Sequence, residues 1–277
     1  MRKHLKSVKW LLFWVILALG FCGWVYTCMG EEKALEFLGG YLIELSLSMD
    51  NLFVFITIFA GFGIREKAQH RALNYGIAGA IVLRFLFIFF GLQLVEQFQW
   101  TLYVFGAMLI LNGLKMFKEE KEQNPCEHWL IRMLARVLPM TVHLSGDRFA
   151  VRDKNGRLLF TPLFAAVCLV ECSDILFAMD SVPAVFSVST DLLLVYVSNI
   201  FAVLGLRQFY FVLEHLHQRF RYVKYGIAMI LMFTGMKLAG AAFGWYVPVF
   251  SSIVVIGGIL MLSICVSAVL SPALPKN

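Results

Sequence analysis

Eight stretches of this chain stay apolar for long enough to cross a lipid bilayer, at about residues 11–29, 36–60, 72–95, 99–117, 160–186, 191–213, 224–243 and 247–270. A crossing needs roughly 20 apolar residues, because the hydrocarbon offers no partner to an exposed peptide group and only a helix of that length bonds its own backbone throughout. Of the 277 residues, 60% are hydrophobic and 15% charged, and the mean hydropathy is +0.77. A soluble domain is excluded, and the expected fold is an all-α integral membrane protein.

The connections set the orientation. Arg2, Lys3, Lys6 and Lys9 precede the first span, whereas the next connection holds Glu31, Glu32 and Glu36 against Lys33 alone. Arg65, Lys67 and Arg71 follow the second span, eight Lys and Arg residues lie in 118–159, and Arg219, Arg221 and Lys224 follow the sixth. The intervening connections carry no Lys or Arg. Eight spans with both termini in the cytoplasm satisfy the positive-inside rule at every connection. The same loops account for the net charge of +6, so nucleic acid is not expected as a partner; the lipid bilayer is.

MRKHLKSVKW followed by LLFWVILALGFCGW has the outline of a signal peptide, but its apolar run of about 19 residues lacks a small-x-small cleavage site, and a retained helix is expected. The long polar connection contains VRDKNGRLLF, read as a tight hairpin around Asp153-Lys154-Asn155-Gly156. The six cysteines include no CxxC and are read as small packing residues.

Two parts of the chain resemble each other. ELSLSMDN from Glu44 aligns with DILFAMDS from Asp174, matching Glu44 to Asp174, Asp50 to Asp180 and Asn51 to Ser181. The next spans each enclose one arginine, Arg84 in AIVLRF and Arg207 in AVLGLRQF. The third pair, GAMLILNGLKMF and IAMILMFTGMKLAG, shares Ala-Met and then Gly-x-Lys, ending at Lys115 and Lys237. Three helices per copy is an odd number, so the second copy must enter the membrane from the opposite side. The expected organisation is an extra helix within 1–34, a three-helix repeat at 35–117, a cytoplasmic loop at 118–159, the inverted repeat at 160–243 and a final extra helix within 244–277.

Glu44, Asp50, Glu171, Asp174 and Asp180 all fall inside spans. At roughly 2.5–3.5 kcal/mol for each central carboxylate, five unpartnered ionised acids would cost on the order of 12–18 kcal/mol, more than many domains possess as stability. Glu44, Ser48 and Asn51 share one helix face with Asp50 beside it; Glu171, Asp174, Ala178 and Ser181 do the same with Asp180 beside them. Were these faces to meet, the acids with Asn51 and Ser181 would line a site of oxygen donors, which suits Mg2+, Ca2+ or Mn2+ better than zinc or copper. Arg84 and Arg207 are read as counter-charges to that site. A helix interruption near Asp180, encouraged by Pro183, would add free carbonyls. Lys115 and Lys237 are expected to snorkel from helix ends, and His215 and His217 to lie at the interface.

GYLIELSLSMDN and VECSDILFAMDSVPAVFSVSTDLLLVYVSNIFAVLGLR closely resemble the two signature regions of the TerC family of integral membrane proteins. AIVLRFLFIFFG, FVLEHLHQRF and NGRLLFTP resemble its Alx-like branch, with the likeness running from about residue 35 to 270. Two departures stand out: Cys172 replaces a more usual aliphatic residue, and the region before the first motif is shorter than in that branch. The resemblance implies a bacterial cytoplasmic-membrane protein of the LysE transporter superfamily, associated with manganese efflux and, as a historical label, tellurium resistance. It implies metal-site positions at Glu44, Asp50, Asn51, Glu171, Asp174, Asp180 and Ser181. The expectation is therefore a secondary transporter exporting Mn2+ as its cargo, with no permanently bound cofactor, by exchange for protons. Export of another cation or an amino acid, or a scaffold role in an envelope-stress complex, are the alternatives, and no nucleophile, His cluster or phosphate loop supports an enzyme.

Overall fold

The computed structural model describes residues 2–117, 139–141, 148–152, 157–213 and 222–270; the side chains of residues 2–8, Arg207, Val212, Leu213 and Ala242 are outside that description. Eight α-helices follow one another in the described chain: α1 (Arg2–Met29), α2 (Glu31–Gly61), α3 (Glu66–Gln97), α4 (Thr101–Met116), α5 (Pro162–Phe186), α6 (Leu192–Leu213), α7 (Val223–Gly240) and α8 (Val249–Leu270). Each overlaps one of the eight expected spans. Seven are long and apolar enough to cross a membrane; α4, with 16 residues, is shorter. The protein is thus a multi-pass, all-α membrane protein.

Local chemistry places the ends. Glu31 and Glu32 occupy the first turn of α2, where carboxylates face the positive end of the helix dipole. The same helix stops at Phe62 and Gly63; Gly63 takes φ 61, and Ile64 N donates to Phe59 O at 3.0 Å, a left-handed turn that glycine allows. Pro162 opens α5 at a position where its missing N–H costs nothing. Asp191 caps α6, its Oδ1 accepting from Leu193 N at 3.0 Å and Leu194 N at 3.3 Å.

Two expectations need correction. α5 runs unbroken through Asp180 to Phe186; Pro183 lies in its last turn, where it removes one donor without parting the helix. Lys237 does not snorkel: it is half-buried and its Nζ donates to Ser252 Oγ on α8 at 2.8 Å. In the long connection, β1 (Ala150–Arg152) and β2 (Leu158–Phe160) pair antiparallel, with Val151 opposite Leu159. That is the expected hairpin, although its turn residues 153–156 and the rest of the 118–159 loop, apart from 139–141, 148–152 and 157–159, lie outside the described residues, as do His215 and His217.

The two groups of three helices are packed through each other. α2 and α3, joined by only Phe62–Arg65, barely touch, and α3 and α4 touch little; instead α2 packs on α6, α3 on α5, and α4 on α7 most extensively of all. Exchanging α2 with α5, α3 with α6 and α4 with α7 leaves this pairing pattern unchanged.

Atomic contacts follow the same exchange. A Cβ on Gly113 would meet Ala228 O at 2.8 Å and Met232 Cγ at 2.7 Å, while one on Gly235 would meet Gly106 O at 2.7 Å and Ile110 Cγ1 at 2.9 Å. These contacts are reciprocal if Gly113 is equivalent to Gly235, Gly106 to Ala228 and Ile110 to Met232. They also show α4 and α7 to be antiparallel. The register is that of the Gly-x-Lys match; the Ala-Met pairs sit one residue out, because a helix cannot absorb a single insertion without rotating every later side chain. α2 and α5 are antiparallel as well, with Gly40 against Val185 at one end and their counterparts Phe55 and Val170 lining one cavity at the other. This arrangement is consistent with two inverted copies. α1 covers α2 and α6, and α8 covers α2 and α7.

Candidate functional site

The polar centre lies where α2, α3 and α5 meet. Arg84 on α3 is fully buried. Its Nη1 donates to Glu44 Oε1 on α2, and its Nε and Nη2 donate to Asp174 Oδ2 at 3.1 Å and Oδ1 at 2.9 Å on α5. Ser48, one turn after Glu44, adds a hydroxyl donor to Glu44 Oε1 at 3.3 Å. One guanidinium therefore ties together the two acids that the repeat alignment makes equivalent. The fork geometry of arginine suits this task, with a bidentate pair to one carboxylate and a single bond to the other. Removing one member of such a buried set leaves an uncompensated charge, at a cost of about 3–5 kcal/mol.

Glu171 stands one helical turn before Asp174 and is bound differently. Its carboxylate rests on the backbone of α3 at Gly79, where a Cβ would fall 2.6 Å from both oxygens. Its Oε2 is buried without a hydrogen-bond partner among the described residues, as is Glu44 Oε2. Beside Glu171 and Asp174 is a cavity of about 20 Å³ walled by apolar side chains including Leu52, Phe55 and Val203, room for about one water. The repeat equivalents of Glu171 and Gly79 are Tyr41 and Ala202, which pack together in an apolar cluster. Glu171 is thus the acid that breaks the symmetry.

Asp180 belongs to a separate contact: its Oδ1 accepts from Asn112 Nδ2 on α4 at 2.5 Å. Asn51 and Ser181 are buried, Ser181 Oγ without a hydrogen-bond partner, and Asp50 is half-buried. Arg207 lies on α6 with its side chain outside the described residues. Four of the five acids therefore divide into the Arg84 cluster with Glu171 nearby, and Asp180 with Asn112. Among the described residues no group of three His, Cys, Asp or Glu side chains is placed to hold a metal ion.

Ser48, Gly79 and Asn112 were not singled out as site residues by sequence reasoning. Asn112 did carry a signal, being the lone amide in the apolar run GAMLILNGLKMF, and Ser48 shared the face of Glu44. Gly79 carried none. Cys22, Cys28, Cys168, Cys172 and Cys265 are free thiols; Cys126 is outside the described residues.

Comparison with known proteins agrees with this architecture. Residues 29–273 match the integral membrane protein TerC family. An uncharacterized membrane protein of Myxococcus xanthus, STKORF319, is 44% identical over 276 residues, covering 99% of this chain and 86% of that protein. A protein of Escherichia coli K12 named "Putative membrane-bound redox modulator Alx" is 43% identical over 272 residues, 95% of this chain and 84% of its own. A membrane protein of Rickettsia felis is 40% identical over 234 residues, 84% of this chain and 77% of its own. No solved structure matches. The chain belongs to the TerC family of integral membrane proteins.

Proposed function

We propose that this protein is a secondary transporter, not an enzyme, that exports a divalent cation, Mn2+, from the cytoplasm across the inner membrane, with both termini on the cytoplasmic side and protons moving in exchange. The observation that carries the reading is the charge of the polar centre. Among the described side chains, Glu44, Glu171 and Asp174 supply three carboxylates and Arg84 one guanidinium, leaving two negative charges when the acids are ionised. One divalent cation neutralises that charge; a monovalent ion leaves it half balanced. Two of the carboxylate oxygens, Glu44 Oε2 and Glu171 Oε2, are buried without partners among the described residues, and such groups are costly unless a ligand or proton completes them.

The donor set is all oxygen, which selects a hard cation; the choice of Mn2+ within that class follows the family resemblance. Asp50, Asn51, Asp180 and Ser181 extend the oxygen-lined faces of α2 and α5 toward a path between the two halves. Antiparallel packing of those halves offers a route to alternating access, since rocking one against the other would open the centre to each side in turn.

The test is uptake of radiolabelled Mn2+ into proteoliposomes with and without a pH gradient, together with cellular manganese under Mn2+ load. Wild-type protein should transport the label faster with the gradient, and Asp50→Asn and Asp180→Asn should raise cellular manganese at unchanged protein level. Unaltered manganese in both variants would sink the proposal.

A further inference from the structure

We infer that Arg84 is a tethered surrogate for the transported cation, holding Glu44 and Asp174 when no cargo is present and displaced from Asp174 when a divalent cation arrives. The inference rests on the cation-export reading and adds how cargo is admitted and released.

Three features of the centre point to it. Both oxygens of Asp174 are bonded to Arg84, while Glu44 and Glu171 each keep one buried oxygen without a partner among the described residues. An arriving cation therefore finds two free oxygens. A hard divalent cation takes six or more oxygen ligands, so a bound state needs further donors, and Asp174, which lines the same cavity as Glu171, is the carboxylate Arg84 holds. Next, the adjoining cavity of about 20 Å³ admits roughly one water and is too small for a hydrated ion. Cargo can enter only as the centre rearranges, and the Arg84 side chain, which crosses from α3 to both α2 and α5, is the element that bridges the parts that must move. Finally, a guanidinium does not lose its proton in a protein. Arg84 competes by position rather than by titration, and it balances one of the two charges of the equivalent acids while the carrier returns without cargo.

A competitor built into the site lowers apparent affinity by the fraction of time it occupies the ligands. Its benefit is release: a set of carboxylates free to close on Mn2+ would hold it too firmly to let it go. Glu171, with its Oε2 unpartnered among the described residues and one turn nearer the start of α5, is placed to engage the cation before Arg84 yields Asp174. Under the proposed topology the start of α5 is cytoplasmic, the side from which cargo comes.

The experiment is equilibrium binding of Mn2+ alone, with Mn2+ flux, on the purified full chain in nanodiscs and proteoliposomes. Arg84→Gln should bind Mn2+ at least tenfold more tightly than wild type and transport it more slowly; Arg84→Lys, which keeps the charge without the fork, should fall between them in both. Folded Arg84→Gln protein with wild-type or weaker affinity would overturn the inference and make Arg84 a purely structural clamp. Should Arg84→Gln fail to fold, the paired variant Arg84→Gln/Glu44→Gln is compared with Glu44→Gln alone: tighter binding in the pair supports displacement, and equal or weaker binding overturns it. Absence of Mn2+ flux in wild type would instead overturn the export reading, whatever the order of affinities among the variants.

Discussion

Substituting Gly235 by alanine tests the packing that brings the two halves together. The new Cβ would lie 2.7 Å from Gly106 O, 2.9 Å from Ile110 Cγ1 and 3.0 Å from Ile110 N. Two of these three atoms are backbone and cannot swing aside. Favourable separations are about 3.5–4.0 Å, so α4 and α7 must part by roughly 0.5–1 Å. A gap of that size forfeits about a quarter to a half of the dispersion attraction at each affected contact, along the most extensive helix pairing in the protein. Overpacking of this kind costs about 1–3 kcal/mol. The usual gain of about 1 kcal/mol from replacing a helical glycine does not offset it, because a membrane helix stays helical after its partners separate. Gly113→Ala, with Ala228 O at 2.8 Å, should cost the same within the error of the measurement. Gly258→Ala on α8, where a Cβ meets nothing within 4 Å, should change stability by less than about 0.5 kcal/mol. Unfolding of the purified protein by SDS in mixed micelles, followed by tryptophan fluorescence, separates these cases. Indistinguishable midpoints for Gly235→Ala and Gly258→Ala would refute the close crossing.

Two further changes probe single contacts. Gly79→Ala should push the Glu171 carboxylate off α3 and reduce Mn2+ flux while stability stays within about 0.5 kcal/mol of wild type, since a flexible side chain can yield; undiminished flux would remove Glu171 from the cation path. Ser252→Ala should cost about 1–3 kcal/mol by leaving the half-buried Lys237 amine without its partner, whereas Lys237→Met should be nearly neutral because it removes the charge as well. Equal costs for the two, measured by the same unfolding assay, would refute that asymmetry.

Helix positions were legible because bilayer thickness imposes a length on every span, and the Lys and Arg pattern separates one span from the next. The kinship of ELSLSMDN and DILFAMDS was legible for a different reason: acids inside apolar helices are rare enough that two in the same spacing stand out. What the acids touch was not legible. Glu44, Asp174 and Arg84 could be named as charges, yet their joining on one guanidinium depends on how α3 sits between α2 and α5, which helical periodicity leaves open. Asn112 as partner of Asp180 required knowing that α4 faces α5. Glu171 looked like one more member of a symmetric set; only its rest on Gly79, beside a Tyr41 that packs on Ala202, separates it. Pro183 misled because the effect of proline depends on how much helix follows it, and here only three residues do.

The way each group of three helices packs through the other also bears on how the protein is made. α2, α3 and α4 leave the ribosome before α5, α6 and α7, with few contacts among themselves, and apart from α1 their partners are encoded after the long polar loop. Arg84 enters the bilayer with Glu44 already made but Asp174 still to come, 90 residues further along the chain. At about 5–20 residues per second, that second acid follows roughly 5–20 s later. During that interval the nascent first half is a set of loosely associated helices carrying an unfinished ion cluster in lipid, and the arrival of α5 is what converts it into a protein.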